Sequence, residues 1–298
     1  MLRAPSTLVA RARTRARRLG VLLATCATML AAATLPAQAI LVAPQGVVLS
    51  NRERTGTVEL YNPSARAAEI SISTAYGHPT TTADGDLTLA IIEHPDSTQP
   101  SAAGFVEAFP RRLILQPNQR QTVRLLARPP QSLVDGEYWA RLIVSSRDAA
   151  PGTVAAADST AVSVGLALEV RTIIAVNYRN GVMATGVTLG TPSAETRPDS
   201  LVIRAPMQRT GSAAWIGTTI VTLIDTTGAT VARQSMQTAV YHSISPRFAF
   251  DRRTLKPGRY RITVDMNTDR PDVIQRTLLR APPQHTELGL LLPAGRGD

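Results

Sequence analysis

From residue 40 onward the chain runs in short stretches of alternating or β-branched apolar residues, cut by clusters of Pro, Gly, Asn and Asp. No stretch repeats its apolar residues at the three- and four-residue spacing of a helix, so strands must build the core. They are expected over 41–49, 55–61, 67–74, 87–93, 112–115, 121–127 and 137–144. Thr57-Val58-Glu59-Leu60-Tyr61, Gln121-Thr122-Val123-Arg124-Leu125 and Arg141-Leu142-Ile143-Val144 alternate wholly or in part. That is the mark of a strand with one face on a core and the other in water. Half-buried strands so closely spaced specify an all-β sandwich.

Beyond Asn180-Gly181 a second all-β module is expected, with strands over 182–189, 201–205, 217–225, 230–234, 247–250, 259–266 and 273–279. Asp225-Thr226-Thr227-Gly228 reads as a hairpin turn, and Lys256-Pro257-Gly258 as a turn into the next strand. Residues 281–298 have no clear period and admit either a last strand around 288–292 or a frayed end.

The run over 160–178 stands apart. Val162, Val164, Leu166, Leu168 and Val170 alternate without a break, and Ile174, Val176 and Tyr178 keep the same phase. A typical strand has about 5–6 residues, and this run is several times longer. Two readings remain open. It is a long core strand or a tightly joined pair, or it is an edge strand whose apolar row is offered to another chain. Residues 147–159, rich in Ala, Asp, Pro and Gly, read as a loop leading into it.

The formal charge of +10 suggests nucleic acid until its distribution is considered. Arg3, Arg11, Arg13, Arg15, Arg17 and Arg18 precede an apolar run over 19–33 and then Leu35-Pro36-Ala37-Gln38-Ala39. This is the basic, apolar, small-residue order of a secretory signal, and 1–39 is assigned to it. Cleavage after Ala39 leaves 259 residues with 26 basic and 22 acidic side chains, a net charge of only +4. A nucleic-acid partner is therefore not expected, nor is a membrane span in the mature chain. Cys26, the one cysteine, leaves with the signal, which excludes disulfides and thiolate metal sites.

Catalytic patterns are missing. His78, His94, His242 and His285 have no metal-ligand spacing. Asp84-Gly85-Asp86 supplies too few oxygens for calcium and reads as a turn. There is no phosphate-binding glycine loop and no nucleophile elbow. No metal, cofactor or enzymatic activity is expected.

The order of the first module resembles the PapD-like periplasmic pilus-assembly chaperones. The resemblance is carried by Val42-Ala43-Pro44-Gln45-Gly46-Val47-Val48-Leu49, by Thr57-Val58-Glu59-Leu60-Tyr61-Asn62-Pro63, and by the stretch from Phe109-Pro110-Arg111-Arg112-Leu113-Ile114-Leu115 through Gln116-Pro117-Asn118-Gln119-Arg120-Gln121-Thr122-Val123-Arg124. Gly136-Glu137-Tyr138-Trp139 and Asn177-Tyr178-Arg179 close it. It covers about residues 40–180 and is only architectural afterwards.

The resemblance implies two immunoglobulin-like β-sandwich domains after a cleaved signal peptide, over 40–179 and 180–298. It implies a periplasmic chaperone or assembly factor that lends the last strand of domain one to a secreted pilin-like subunit, working with an outer-membrane usher. The lent residues fall on Val162, Val164, Leu166, Leu168 and Val170, with Arg171 beside them, and Glu137 and Arg179 match interdomain ion-pair positions. The family's two basic residues that hold a subunit carboxylate fall here on Gly46 and Ala175, which carry no charge. Arg171, Arg124 and Arg54 are the candidate substitutes. The uncharged pair also leaves open a structural or adhesive immunoglobulin-like envelope protein, and an open edge strand could be capped by a second copy of the chain. A periplasmic ligand-binding protein would need a concave pocket of converging polar groups, for which the residues give no sign.

Overall fold

The computed structural model describes residues 39–149 and 168–293. Their strands form two β-sandwiches, each closing on its own hydrophobic core. The first contains β1 (Leu41–Ala43), β2 (Gly46–Ser50), β3 (Thr55–Tyr61), β4 (Ala68–Thr81), β5 (Leu87–Ile92), β6 (Val106–Phe109), β7 (Arg112–Leu115), β8 (Arg120–Ala127), β9 (Gly136–Asp148) and β10 (Glu169–Asn180). One sheet has the order β1-β3-β8-β6, and the other β2-β10-β9-β4-β5 with β7 also on β4.

Alternation sorts the side chains between core and water. Val58 and Leu60 of β3 and Val123 and Leu125 of β8 point inward, while Thr57, Glu59, Thr122 and Arg124 between them are exposed. Each fully buried side chain of this size contributes about 1.5–3 kcal/mol. From the facing sheet, Ile70, Leu142, Ile174 and Val176 complete the core. Asn62 ties the end of β3 to the end of β7 and to the turn before β4, its buried amide donating to the carbonyls of Leu115 at 3.0 Å and Arg66 at 2.8 Å.

The second sandwich contains β11 (Thr185–Leu189), β12 (Ser193–Thr196), β13 (Ser200–Arg204), β14 (Met207–Gly211), β15 (Trp215–Asp225), β16 (Thr230–Val240), β17 (Ser243–Ile244), β18 (Arg247–Asp251), β19 (Gly258–Asn267) and β20 (Gln284–Leu292). Three sheets, β11-β14-β17, β12-β13-β18 and β16-β15-β19-β20, enclose a core centred on Trp215, Val221, Phe248 and Ile262. The turn at Asp225 forms as expected. Its carboxylate accepts the amide hydrogens of Thr227 at 2.8 Å and Ala229 at 3.0 Å, and Gly228 supplies the positive φ.

Several expectations need correction. The stretch over 41–49 is two strands, because Pro44 has no amide hydrogen to continue a ladder. The chain leaves β3 there and joins the opposite sheet beside β10. β4 continues to Thr81, seven residues past its expected end, although Gly77 and Pro79 read as breakers. Pairing with β5 and docking on the second sandwich hold that extension in place. β6, β12, β14 and β17 lie outside the expected stretches.

No strand forms over 273–279, where a 3-10 turn, Gln275–Thr277, replaces it. Both edges of β19, the strand before it, are already taken by β15 and β20. The stretch over 281–298 resolves in favour of the last strand. β20 pairs with β19 from Leu292 opposite Gly258 to Gln284 opposite Met266.

Candidate functional site

β10 lies against β9 along its whole length, from Glu169 opposite Arg147 to Asn180 opposite Gly136. On its other side β2 pairs with it, in parallel, only from Ala175 to Arg179. From Glu169 to Ile174 that edge has no ladder partner among the described residues. The apolar row emerges from the core over the same interval. Tyr178, Val176 and Ile174 are buried, Val170 is half-buried, and Leu168 is 63% exposed. Unpaired backbone groups beside an emerging apolar row are a template for another strand.

Val162, Val164 and Leu166 lie outside the described residues. Arg171 sits in the opposite phase, exposed, with its Nε 2.7 Å from Glu169 Oε1. The hydrogen bond from Arg171 is the main reason the Glu169 carboxyl is held below its ordinary range, followed by a bond from Ser145.

Beside the point where β2 takes over the edge, the two sandwiches enclose a cavity of about 790 Å³. Gly46 of β2, Ala175 of β10 and Arg141 of β9 stand opposite one another across three adjacent strands and all line it. Directly opposed residues share a sheet face, so Arg141 brings a guanidinium to the face on which Gly46 and Ala175 carry none. Arg141 is only 5% exposed. Its Nε donates to the Gly77 carbonyl at 2.9 Å, its guanidinium lies 4.7 Å from the Tyr241 ring centroid, and its Nη2 has no partner.

A buried guanidinium nitrogen with an unmet donor is costly unless an anion or water meets it. Gly77 makes this placement possible. A Cβ there would stand 2.5 Å from the Ala90 carbonyl oxygen and 3.3 Å from Arg141 Cγ.

Of the arginines singled out from the sequence, Arg124 lines the cavity, Arg171 is engaged by Glu169, and Arg54 is not among the lining residues. Arg270 and Arg276 approach from the second sandwich, Arg270 already paired with Asp272 at 2.7 Å. Sequence reasoning missed Arg141. Its signal was there: a charged residue inside the otherwise apolar run Tyr138-Trp139-Ala140-Arg141-Leu142-Ile143-Val144.

Glu137 and Arg179 meet where the sandwiches join, with Arg179 Nε 2.8 Å from Glu137 Oε2. Glu137 Oε1 also accepts from Trp139 Nε1 at 3.1 Å, Asn177 Nδ2 at 3.0 Å and the Ala214 amide at 3.1 Å. Ala214 belongs to the second sandwich, and Arg179 reaches it too, donating to the Thr277 carbonyl at 2.7 Å. The β4–β5 hairpin forms a second bridge. Arg247 pairs with Asp86 at 2.6 Å and donates its amide to the Gly85 carbonyl at 2.9 Å, while the Ser245 amide donates to Thr81 Oγ1 at 3.0 Å. The Asp84-Gly85-Asp86 turn is thus a docking tip.

No family model matches the chain, and no curated protein matches it in sequence. Solved structures do match. One is the CupB2 chaperone of Pseudomonas aeruginosa, 12% identical over 84% of this chain and 100% of that one, with a TM-score of 0.36. The chain is similar in structure to chaperones. A second match is the CsuC–CsuE chaperone–tip adhesion subunit pre-assembly complex from archaic chaperone-usher Csu pili of Acinetobacter baumannii, 12% identical over 84% and 97% of the two chains, TM-score 0.43. A third is the SafB chaperone in complex with the SafA pilin of Salmonella enterica, 11% identical over 84% and 97%, TM-score 0.38. At these identities the likeness assigns no residue to a role. Among the described residues no helix is long and apolar enough to cross a membrane.

Proposed function

We propose that this protein is an exported periplasmic chaperone that binds immature pilin-like subunits by lending them a strand, and passes them to an outer-membrane usher. Its working parts would be the two sandwiches over 40–179 and 180–298, after loss of residues 1–39. The observation that carries this reading is the half-open edge of β10. Glu169 to Ile174 have no ladder partner on one side among the described residues, while Leu168 and Val170 offer side chains to a client groove; Val162, Val164 and Leu166, outside the described residues, would extend that row by sequence alternation. Main-chain bonds would supply affinity and the apolar row would select the client. Arg141, which lines the cavity, would take the subunit's terminal carboxylate on the row where Gly46 and Ala175 cannot.

Isolated from its own cell envelope, the full chain should bring down a small secreted β-protein in near-equal amount. Arg141→Gln, which keeps a donor for the Gly77 carbonyl but removes the charge, should weaken that capture by at least about tenfold. Recovery of the chain alone, as an unbound monomer, would overturn strand donation and favour a structural or adhesive envelope protein. Recovery as a dimer would indicate that a second copy covers the edge.

A further inference from the structure

Where the sandwiches meet, two histidines face each other, one from each side. His78 projects from β4 and His242 from the connection between β16 and β17, with ring centroids 4.5 Å apart at an interplanar angle of 74°. His78 Nδ1 lies 3.2 Å from the Pro79 carbonyl oxygen, which can only accept, so the hydrogen sits on Nδ1. His242 Nε2 lies 3.1 Å from the Tyr76 hydroxyl, which donates to it when the neutral ring carries its hydrogen on Nδ1. The indole of Trp139 stands edge-on to His242 at 5.1 Å.

The charges around this pair are already cationic or already used. Arg209 of β14 lies 5.4 Å from the Trp139 ring and donates to the Tyr241 carbonyl at 2.6 Å. From β9, Arg141 lies over Tyr241, and Glu137 is occupied by Arg179 and three further donors. Asp96, on the Tyr76 side, is held by Thr98. Among the described residues no free carboxylate faces the histidines to receive an imidazolium.

We propose that His242, packed against His78, forms a proton-operated latch between the two sandwiches, closed while the His242 ring is neutral and released when acid charges it. Burial holds the pKa of His242 below its ordinary 6.5, and the charges of His78 and Arg209 push it further down. The closed interface therefore keeps its full stability above pH 6.5 and loses it as pH falls toward the depressed value, since the opened state takes up the proton first. A charged His242 would also turn its Nε2 from acceptor to donor toward the Tyr76 oxygen, leaving the hydroxyl hydrogen to find another acceptor. Tyr241, the next residue back, carries the change into the cleft, because its ring supports Arg141 and its hydroxyl donates to Asn177 Oδ1 at 3.2 Å. The latch operates whatever the cleft binds.

Whole-protein melting is the wrong readout. His285, hydrogen-bonded by Asp265, has its pKa raised and contributes stability below pH 6.5 that is lost as pH rises, masking the latch. Hydrogen exchange on the full chain separates them. Between pH 7.5 and pH 5, after correction for intrinsic rates, the three amides that bond across the interface, Ser245, Arg247 and Glu137, should lose protection on the order of tenfold. Ladder amides between β3 and β8 should not change. His242→Gln should flatten the response, and His78→Gln, which leaves His242 but removes the ring packed against it, should blunt it. Undiminished interface protection at pH 5, or an equal loss in both variants, would overturn the latch.

Discussion

Replacing Glu137 with alanine should lower the free energy of unfolding by about 3–5 kcal/mol. The carboxylate is fully buried and serves four donors at once: Arg179 Nε, Trp139 Nε1, Asn177 Nδ2 and the Ala214 amide. Removing it leaves a guanidinium that is only 13% exposed without its counter-charge, together with three neutral donors without acceptors. The desolvation of those groups, rather than the worth of the ion pair itself, sets the size of the loss. Glu137→Gln keeps a carbonyl oxygen for the neutral donors and should fall between alanine and wild type. Urea unfolding followed by tryptophan fluorescence suits the test, because Trp139 sits at the interface and Trp215 in the second core. A loss below about 1 kcal/mol for the alanine variant would show that water or another group replaces the carboxylate.

The second large effect falls on binding instead of folding. Changing Leu166 and Leu168 together to aspartate should reduce capture of the co-purifying subunit by at least about 100-fold, since each carboxylate would enter an apolar groove unpaired. Unfolding free energy should change by less than about 1 kcal/mol, because Leu168 is 63% exposed and has little burial to lose. The measurement is subunit affinity beside a urea curve on the same preparation. Equal damage to both would mean that the row is ordinary core, and strand donation would be lost with it.

How much of this was legible beforehand can be argued from particular strands. β3 and β7 have the bounds that alternation indicates, because a half-buried strand writes its two faces into successive residues. β4 does not end where its residues suggest. Gly77 and Pro79 look like a turn in isolation, yet the hairpin continues because β5 and the second sandwich bond its far end. The segment 273–279 errs in the opposite direction: apolar enough for a strand, it finds both edges of β19 occupied.

The same division runs through the site. Periodicity alone located the apolar row of β10 and its phase, since side-chain direction along a strand is a local property. Among the described residues, how far that strand is paired on its second side is decided by where β2 stops, a matter of register between segments more than a hundred residues apart in sequence. The His78–His242 pair is invisible to any window along the chain, and Arg141 shows there only as a charge within an apolar run. They matter only because folding sets β9 beside β10 and brings two modules together, and contacts between distant segments leave no spacing in the sequence to read.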